Sequence, residues 1–460
     1  MRLQWFEIRG YKNIRDPLRL EELGRLNVLH GDNNVGKSNL LESIGLFFML
    51  LQTVRQNLQG TVSRAESFAR RTPPEALKAE GLGEFSTVRS FAYFTDNGFP
   101  PGEIFNLQDA MPIELGASVR LEAGDVEDGD SPWFMEALEL GFRLERREDE
   151  ILIALVRLRR ADGTDVAVAA ESGNEQSVER VFERLGWRRR GRGVEPRFAL
   201  IRADRTLVGA PREDEAAPLA TREPLPKDLG LALYDADTAD DPVLRERFRR
   251  FLSALERFRD LLGDGQWRMR YDRQADQAEL FYDTGTTRVP LRLMGSGIQQ
   301  IVSLTARLMM TGADIVAVEE PELNLRYTAQ RRLWEILSDL VGGQAPSQLL
   351  LTSHSPAFEA EEMFYALRRS PSGPRVEQRP RKEAADFTQF TLQTPPGGAS
   401  APLSYVTTEG LVLVPADVRE ALGLENGGGV VFIREKNAGH YRMLTNAQFL
   451  DMLEPRKTSP

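Results

Sequence analysis

Apolar and polar residues alternate in "WFEI" (Trp5–Ile8), and an apolar run in "RLNVLHG" (Arg25–Gly31) ends on a glycine. The first pattern predicts a half-buried strand and the second a buried one. "SNLLESIGLFFMLLQTV" follows after a short polar loop, with Leu40, Leu41, Ile44 and Phe48 at helical spacing, so the period changes from two to 3.6. Between residues 112 and 170 it returns to two: "PIELGASVRL", "LGFRLER" and "ILIALVRLRR" alternate, and "ADGT" separates the last from "DVAVAA". An antiparallel meander is expected there. Residues from about 175 to 275 are charged and broken by Pro and Gly, which predicts a helical and charged insertion. Its one periodic stretch, "VLRERFRRFLSALERFRDLL", places Leu244, Phe248, Phe251, Leu255 and Phe258 on one face of a short, solitary helix. No heptad repeat persists long enough for an extended coiled coil. From 291 to 356 the order is helix, strand, helix, strand; "DIVAVEE" and "QLLLTSH" are the continuous apolar runs of parallel strands covered on both faces. "LQTPPGGASAPLS" (392–404) has linker composition, and a small tail follows.

With 460 residues, length alone suggests two or three domains, and core size is no obstacle. The absence of cysteine excludes disulfides and thiolate metal sites, and the three histidines, His30, His354 and His440, are too scattered for a His-rich one. "MRLQWFEIRG" lacks the apolar run of a signal peptide, and "IGLFFMLL" (44–51) is too short to span a bilayer. A soluble cytoplasmic protein with no membrane partner is expected. The 59 basic and 69 acidic residues give a net charge of -10, so duplex DNA would have to meet a local patch. "GWRRRGRG" (186–193) and the helical Arg245, Arg249 and Arg259 are the candidates. A charge run is more often a solvated face, although roughly 6 to 10 phosphate contacts suffice for salt-sensitive nonspecific binding.

Four motifs carry chemistry. "GDNNVGKS" (Gly31–Ser38) fits G-x-x-x-x-G-K-S between a strand and a helix. Gly31 and Gly36 let the backbone wrap an anion, Lys37 brings positive charge to the outer phosphates, and the Ser38 hydroxyl is placed for Mg²⁺. Asn33, Asn34 and Asn39 complete the candidate nucleotide-binding set. "DIVAVEEPELNL" ends a buried strand in Glu319, a candidate for the magnesium shell, and Glu320, a candidate general base for water. "LLLTSHSP" ends another in His354, which can donate to a terminal phosphate. "LMGSGIQQ" (Leu293–Gln300) opens a helix with two glycines and a serine, an anion site without a lysine. A chain with its own phosphate loop has little use for a second, so Ser296 and Gly297 are expected to serve another chain's nucleotide.

In this order the motifs resemble an ABC-type ATPase of the SMC, RecF and OLD-like group. "GDNNVGKSNLLESI" matches the phosphate loop, "GSGIQQ" the signature, "VEEPELNL" the acidic strand end with its D-loop, and "TSHSP" the switch histidine. The resemblance covers roughly residues 1–395 and implies an α/β head with an antiparallel subdomain. It also implies a head-to-tail homodimer, or a higher even oligomer, with two ATP molecules and Mg²⁺ between the phosphate loop of one subunit and Ser296 and Gly297 of the other. The glutamine of the Q-loop is not identifiable by pattern, with Gln108 the candidate. About 257 residues between Lys37 and Gly295 argue against a transporter ATPase. After a linker at 396–404, residues 405–460 resemble the AbrB/MazE swapped-hairpin domain in "TTEGLVLVPADVREALGLENGGGVVFIRE". Acidic residues surround Arg419, Arg434 and Lys436 there, so dimerisation or docking is expected of the tail ahead of DNA binding. The expected function is a dimeric ATPase that gates a separate effector protein, such as a nuclease in anti-phage defence. The alternatives are a RecF-like DNA-binding ATPase of repair or maintenance, and an ATP-switched transcriptional regulator.

Overall fold

The computed structural model describes residues 1–63, 86–105, 111–122, 125, 135–164, 175–190, 193–203, 229–272, 277–342, 346–358, 363–371 and 373–380, with short pieces of the tail at 405–406, 412–413, 420, 423–424, 430–434, 441–445 and 448. The N-terminal half begins with strands β1 (Arg2–Arg9), β2 (Leu18–Leu20) and β3 (Leu26–Gly31), helix α1 (Lys37–Ser63), then β4 (Ser86–Ser90), β5 (Ile113–Arg120), β6 (Ala137–Arg147) and β7 (Glu150–Arg160). Strands β5, β6 and β7 form the expected meander, extended into an antiparallel sheet of order β2-β1-β5-β6-β7-β4. The expected strand "DVAVAA" lies outside the described residues.

Helix α2 (Glu175–Gly186) and the hairpin β8 (Trp187–Arg190) and β9 (Gly193–Pro196) follow. The second large sheet is assembled from distant pieces: β10 (Phe198–Ile201), β14 (Ile315–Glu319), β15 (Gln348–Thr352), β3, β16 (Met363–Ser370) and β17 (Gly373–Pro380), in the order β10-β14-β15-β3-β16-β17. All neighbours run parallel except β17. "LLLT", "IVAVE" and "FALI" are buried throughout, as parallel strands covered on both faces require. Their shared direction brings the ends of β3, β15, β14 and β10 to one edge.

Helix α1 lies between the sheets, and its residues from Leu40 to Val54 are buried on every side. Phe47 meets Phe6 and Phe142 edge-on, while Phe48 stacks on Phe198. The apolar run too short for a bilayer is thus the centre of the core, as expected of a helix apolar all round.

Two expectations need correction. The charged segment from 175 to 275 is not one insertion, because it contains β10, an edge strand of the central sheet. The helix within it, α4 (Pro242–Glu256), is not solitary: after α3 (Leu229–Thr238) it packs Phe248, Phe251 and Leu255 into a second core with α5 (Ser296–Met310), α6 (Tyr327–Gly342) and the small sheet β11 (Gln266–Asp272), β12 (Gln277–Asp283) and β13 (Arg288–Pro290). An aromatic face on a 15-residue helix needs such a partner surface. Asp241 caps that helix by accepting the Val243 N–H, and Pro242 fills its first position.

Behind the central sheet, Arg197 is buried between Asp125 and Asp314 and reaches the carbonyl of Arg184. Burial alone would raise Asp125, but the Arg197 guanidinium and the Met1 ammonium beside it hold its carboxyl well below the usual range. A depressed carboxylate contributes stability above its unfolded pKa of about 4 and loses it as pH falls from there toward the folded value. Asp125→Asn is therefore expected to lower stability at pH 7 by about 2–4 kcal/mol. The gap to the parent should close as denaturation midpoints are followed below about pH 4; a gap independent of pH would assign the loss to packing.

In the tail, β18 (Tyr405–Val406) pairs antiparallel with β19 (Val412–Leu413), and β20 (Val430–Arg434) with β21 (Tyr441–Thr445). The linker and most of the expected helix "PADVREALGL" lie outside the described residues.

Candidate functional site

The edge where β3, β15, β14 and β10 end collects three of the four motifs. Strand β3 stops at Gly31, the chain turns through the exposed Asp32, Asn33 and Asn34, and α1 starts at Lys37. Two glycines shape this loop. A Cβ on Gly31 would stand 2.5 Å from the Leu367 carbonyl, and Gly36 adopts φ +114° against the Asn13 amide. Asn34 also lies in the left-handed region. Asn13 braces the loop from outside by accepting from Asn39 Nδ2 at 2.8 Å. Ser38 is exposed one residue beyond Lys37.

Lys37 is 6% exposed. Its ammonium donates to the Gly31 and Asp32 carbonyls and to His354 Nε2, each at 2.9 Å. All three acceptors are neutral. Burial lowers its pKa to about 8, an effect that Glu320, Glu322 and Asp32 only partly oppose. His354 is buried as well, and desolvation, helped by the Lys37 charge, brings it down to about 4, so it is neutral at pH 7. With Lys37 protonated, His354 Nε2 is the acceptor and the ring proton sits on Nδ1.

Glu320 follows β14 with φ +42°, a conformation that L residues with side chains rarely adopt. Its N–H donates to the Thr352 carbonyl at 2.9 Å, which ties it to β15. Its side chain is 35% exposed, and Oε1 lies 3.7 Å from His354 Nε2. Glu319, the last residue of β14, is 7% exposed, and its Oε2 accepts the Ala203 N–H at 3.3 Å beyond β10. Lys37, His354 and Glu320 thus converge, with Glu319 and Ser38 on flanking elements.

Ser296 and Gly297 are not drawn to this loop by any hydrogen bond among the described residues. Gly295 and Ser296 are exposed at the start of α5, and Leu293 beside them is 66% exposed. A Cβ on Gly297 would meet the Asn324 carbonyl at 3.2 Å, so this helix start rests on the turn that follows Glu320. Gln108 lies outside the described residues.

Sequence reading missed several participants. Lys12, in the left-handed region, and Arg202, at the end of β10, both pair with Glu42 on α1. Lys12, Asn13, Arg15, Phe105 and Arg369, together with the expected Asn34, help to line a cleft of about 820 Å³ beside the phosphate loop. Glu322 accepts from the backbone of His354. For Lys12, Asn13, Arg15 and Glu322 the signal was proximity to a motif, since "GYKNIRD" precedes the loop and "EEPE" contains Glu322; Phe105, Arg202 and Arg369 lie in none of the motifs.

On the candidate nucleic-acid face, Arg245 and Arg249 are exposed. Their neighbours Arg250, Arg257 and Arg259 pair with Glu246, Asp339 and Asp264, which reduces the charge the face offers a polyanion. Of "GWRRRGRG", Trp187–Arg190 form β8 and Gly193 opens β9. No helix among the described residues is long and apolar enough to cross a membrane.

The family described as "AAA domain, putative AbiEii toxin, Type IV TA system" matches residues 26–360. Among solved structures, an SMC head bound to the C-winged helix domain of ScpA is similar at 13% identity, with 84% of this chain and 100% of that one covered and a TM-score of 0.44. The SMC head domain from Thermotoga maritima is similar at 14% identity, covering 82% and 99%, with a TM-score of 0.40. An Smc head with an extended coiled coil bound to the C-terminal domain of ScpA, from Pyrococcus furiosus, gives 12%, 84% and 98%, with a TM-score of 0.41. No curated protein matches.

Proposed function

The chain belongs to this AAA-domain family of α/β P-loop ATPases, and from that premise we propose that it binds and hydrolyses ATP as a head-to-tail dimer, gating a separate effector. The observation that carries the reading is the Lys37 ammonium, buried among three neutral acceptors at the start of a 27-residue helix. Such a cation is poorly compensated, and the terminal phosphates of a nucleotide supply the missing charge. The cleft between Lys12, Asn13 and Arg369 offers room for the nucleoside.

Ser38 and Glu319 are the residues that would hold Mg²⁺. The donor set fits: a hydroxyl and a carboxylate are oxygen ligands, and Mg²⁺ carried with phosphates needs only one or two of them from the protein. When bound, the ion neutralises charge on the phosphate oxygens. Glu320, partly open to solvent, orients the attacking water and takes its proton, while His354 contacts the terminal phosphate.

The exposed Gly295, Ser296 and Leu293 support the dimer: an open helix start with no hydrogen bond to its own phosphate loop among the described residues, flanked by an exposed apolar side chain, suits a second copy's nucleotide. ATP then joins two chains, and hydrolysis releases them. The toxin and toxin–antitoxin system named in the family description support a defence role with an effector partner.

Mixing two inactive variants tests the composite site. Lys37→Ala spoils the phosphate loop and Ser296→Arg the exposed helix start. In each mixed dimer one site pairs Lys37 of the second variant with Ser296 of the first. ATPase activity should return at equal mixing to at most about a quarter of the parent value, since half of the dimers are mixed and each carries one intact site. Silence at every ratio would place each nucleotide site within one chain.

A further inference from the structure

We propose that Glu322 is a positioning residue that couples His354 to the Ser296–Gly297 helix start; the inference rests on the composite-site reading above. The peptide before His354 is held from two sides. On one side the His30 ring, buried and neutral with its pKa lowered to about 4 mainly by desolvation, meets the Ser353 carbonyl through Nδ1 at 2.9 Å, and the Ser353 N–H donates to Leu29. On the other side Glu322 Oε1 accepts both the Ser353 hydroxyl at 3.0 Å and the His354 N–H at 2.6 Å. Both bonds to Glu322 cross from the turn after β14 to the turn after β15, 31 or 32 residues further along the chain.

Two residues beyond Glu322, the Asn324 carbonyl is the atom nearest to the absent Cβ of Gly297. One short turn therefore touches the imidazole's own backbone at one end and the exposed helix start at the other. The Leu325 carbonyl of the same turn accepts from Gln330, whose Oε1 in turn accepts the Ser355 hydroxyl at 2.5 Å. His354, the turn and α6 thus form one bonded unit. Displacement of His354, as when phosphate competes for the Lys37 ammonium from which His354 now accepts, is passed through Glu322 to the turn carrying Asn324. The helix start facing the second chain's nucleotide is seated on that turn. In this arrangement the state of one site sets the readiness of the other.

The test uses the full chain and two variants. Glu322→Ala removes both acceptor bonds but leaves Lys37 and its three contacts. Glu322→Gln keeps a carbonyl oxygen at Oε1 and places its amide where Oε2 lies buried without a hydrogen-bond partner among the described residues. Glu322→Ala should lose at least tenfold in kcat, with KM and the affinity for a fluorescent ATP analogue within twofold of the parent, and should lose the steep dependence of rate on ATP that two coupled sites give. Glu322→Gln should restore both. Equal losses in both variants, or a fall of nucleotide affinity and kcat together in Glu322→Ala, would overturn the coupling role and leave a purely structural one. A parent-like Glu322→Ala also overturns it. Failure of the underlying reading is separate: it would appear as silence at every ratio when Lys37→Ala and Ser296→Arg chains are mixed.

Discussion

Lys37→Ala is expected to weaken ATP binding by roughly 100- to 1000-fold while leaving the fold no less stable. Charge-assisted hydrogen bonds contribute about 1.5–3 kcal/mol each, and losing two to phosphate near the low end of that range amounts to about 3–4 kcal/mol, the stated factor in affinity. The second half of the expectation follows from what the ammonium does without nucleotide. It is 6% exposed and bonded to two carbonyls and an imidazole. A buried cation without a bonded carboxylate opposes folding, as its lowered pKa of about 8 records. Removing it leaves carbonyls beside the exposed loop residues Asp32 and Asn33, where water can satisfy them. Titration with a fluorescent ATP analogue, paired with thermal melts, checks both halves. Loss of binding with an unchanged or higher melting temperature is the expected pair; a large drop in melting temperature would make Lys37 a structural residue.

The legible part of this site was the part written in contiguous residues. A strand ending in Gly31 and a helix starting at Lys37 are local patterns, and so are the apolar runs that end in Glu319 and Thr352. Because parallel strands align their ends, reading three strand termini was enough to bring Lys37, Glu320 and His354 together. What escaped was non-local or short. Strand β10 is four residues flanked by Arg197 and Arg202 within a charged stretch, too brief for any period to register. Its place in the sheet rests on non-local contacts: it pairs with β14, and Arg197 at its start sits between Asp125 and Asp314, 72 and 117 residues away. Glu42 shows the same difficulty: on α1 it reads as one polar position in an apolar helix, yet it pairs with Lys12 and Arg202 from two other elements. The α4 face was read correctly, but amphipathicity says that a helix packs and not against what.

The second large effect is expected at Glu320. Its carboxylate is 35% exposed, beside the imidazole of a neutral histidine, and its own backbone is held in the left-handed region by the bond to Thr352. That conformation costs about 1–2 kcal/mol for a residue with a side chain, and such strain persists where surrounding structure imposes it, commonly at functional sites. The bond from the Glu320 N–H to the Thr352 carbonyl fixes the carboxylate near His354 whatever the side chain carries, so Glu320→Gln should keep the geometry and remove only the ability to accept a proton. A general base contributes about 10²- to 10⁴-fold in rate, and a loss of kcat in that range is expected with ATP affinity unchanged. The dimer gives a second readout. If ATP joins the two chains and hydrolysis parts them, a chain that binds but does not hydrolyse should accumulate as an ATP-loaded dimer, seen as an earlier elution volume with ATP and Mg²⁺ and a return to the monomer position when the nucleotide is removed. Slow turnover without any shift toward dimer would leave Glu320 as the base but remove the nucleotide from the subunit contact, and the exposed face around Ser296 would then need another explanation.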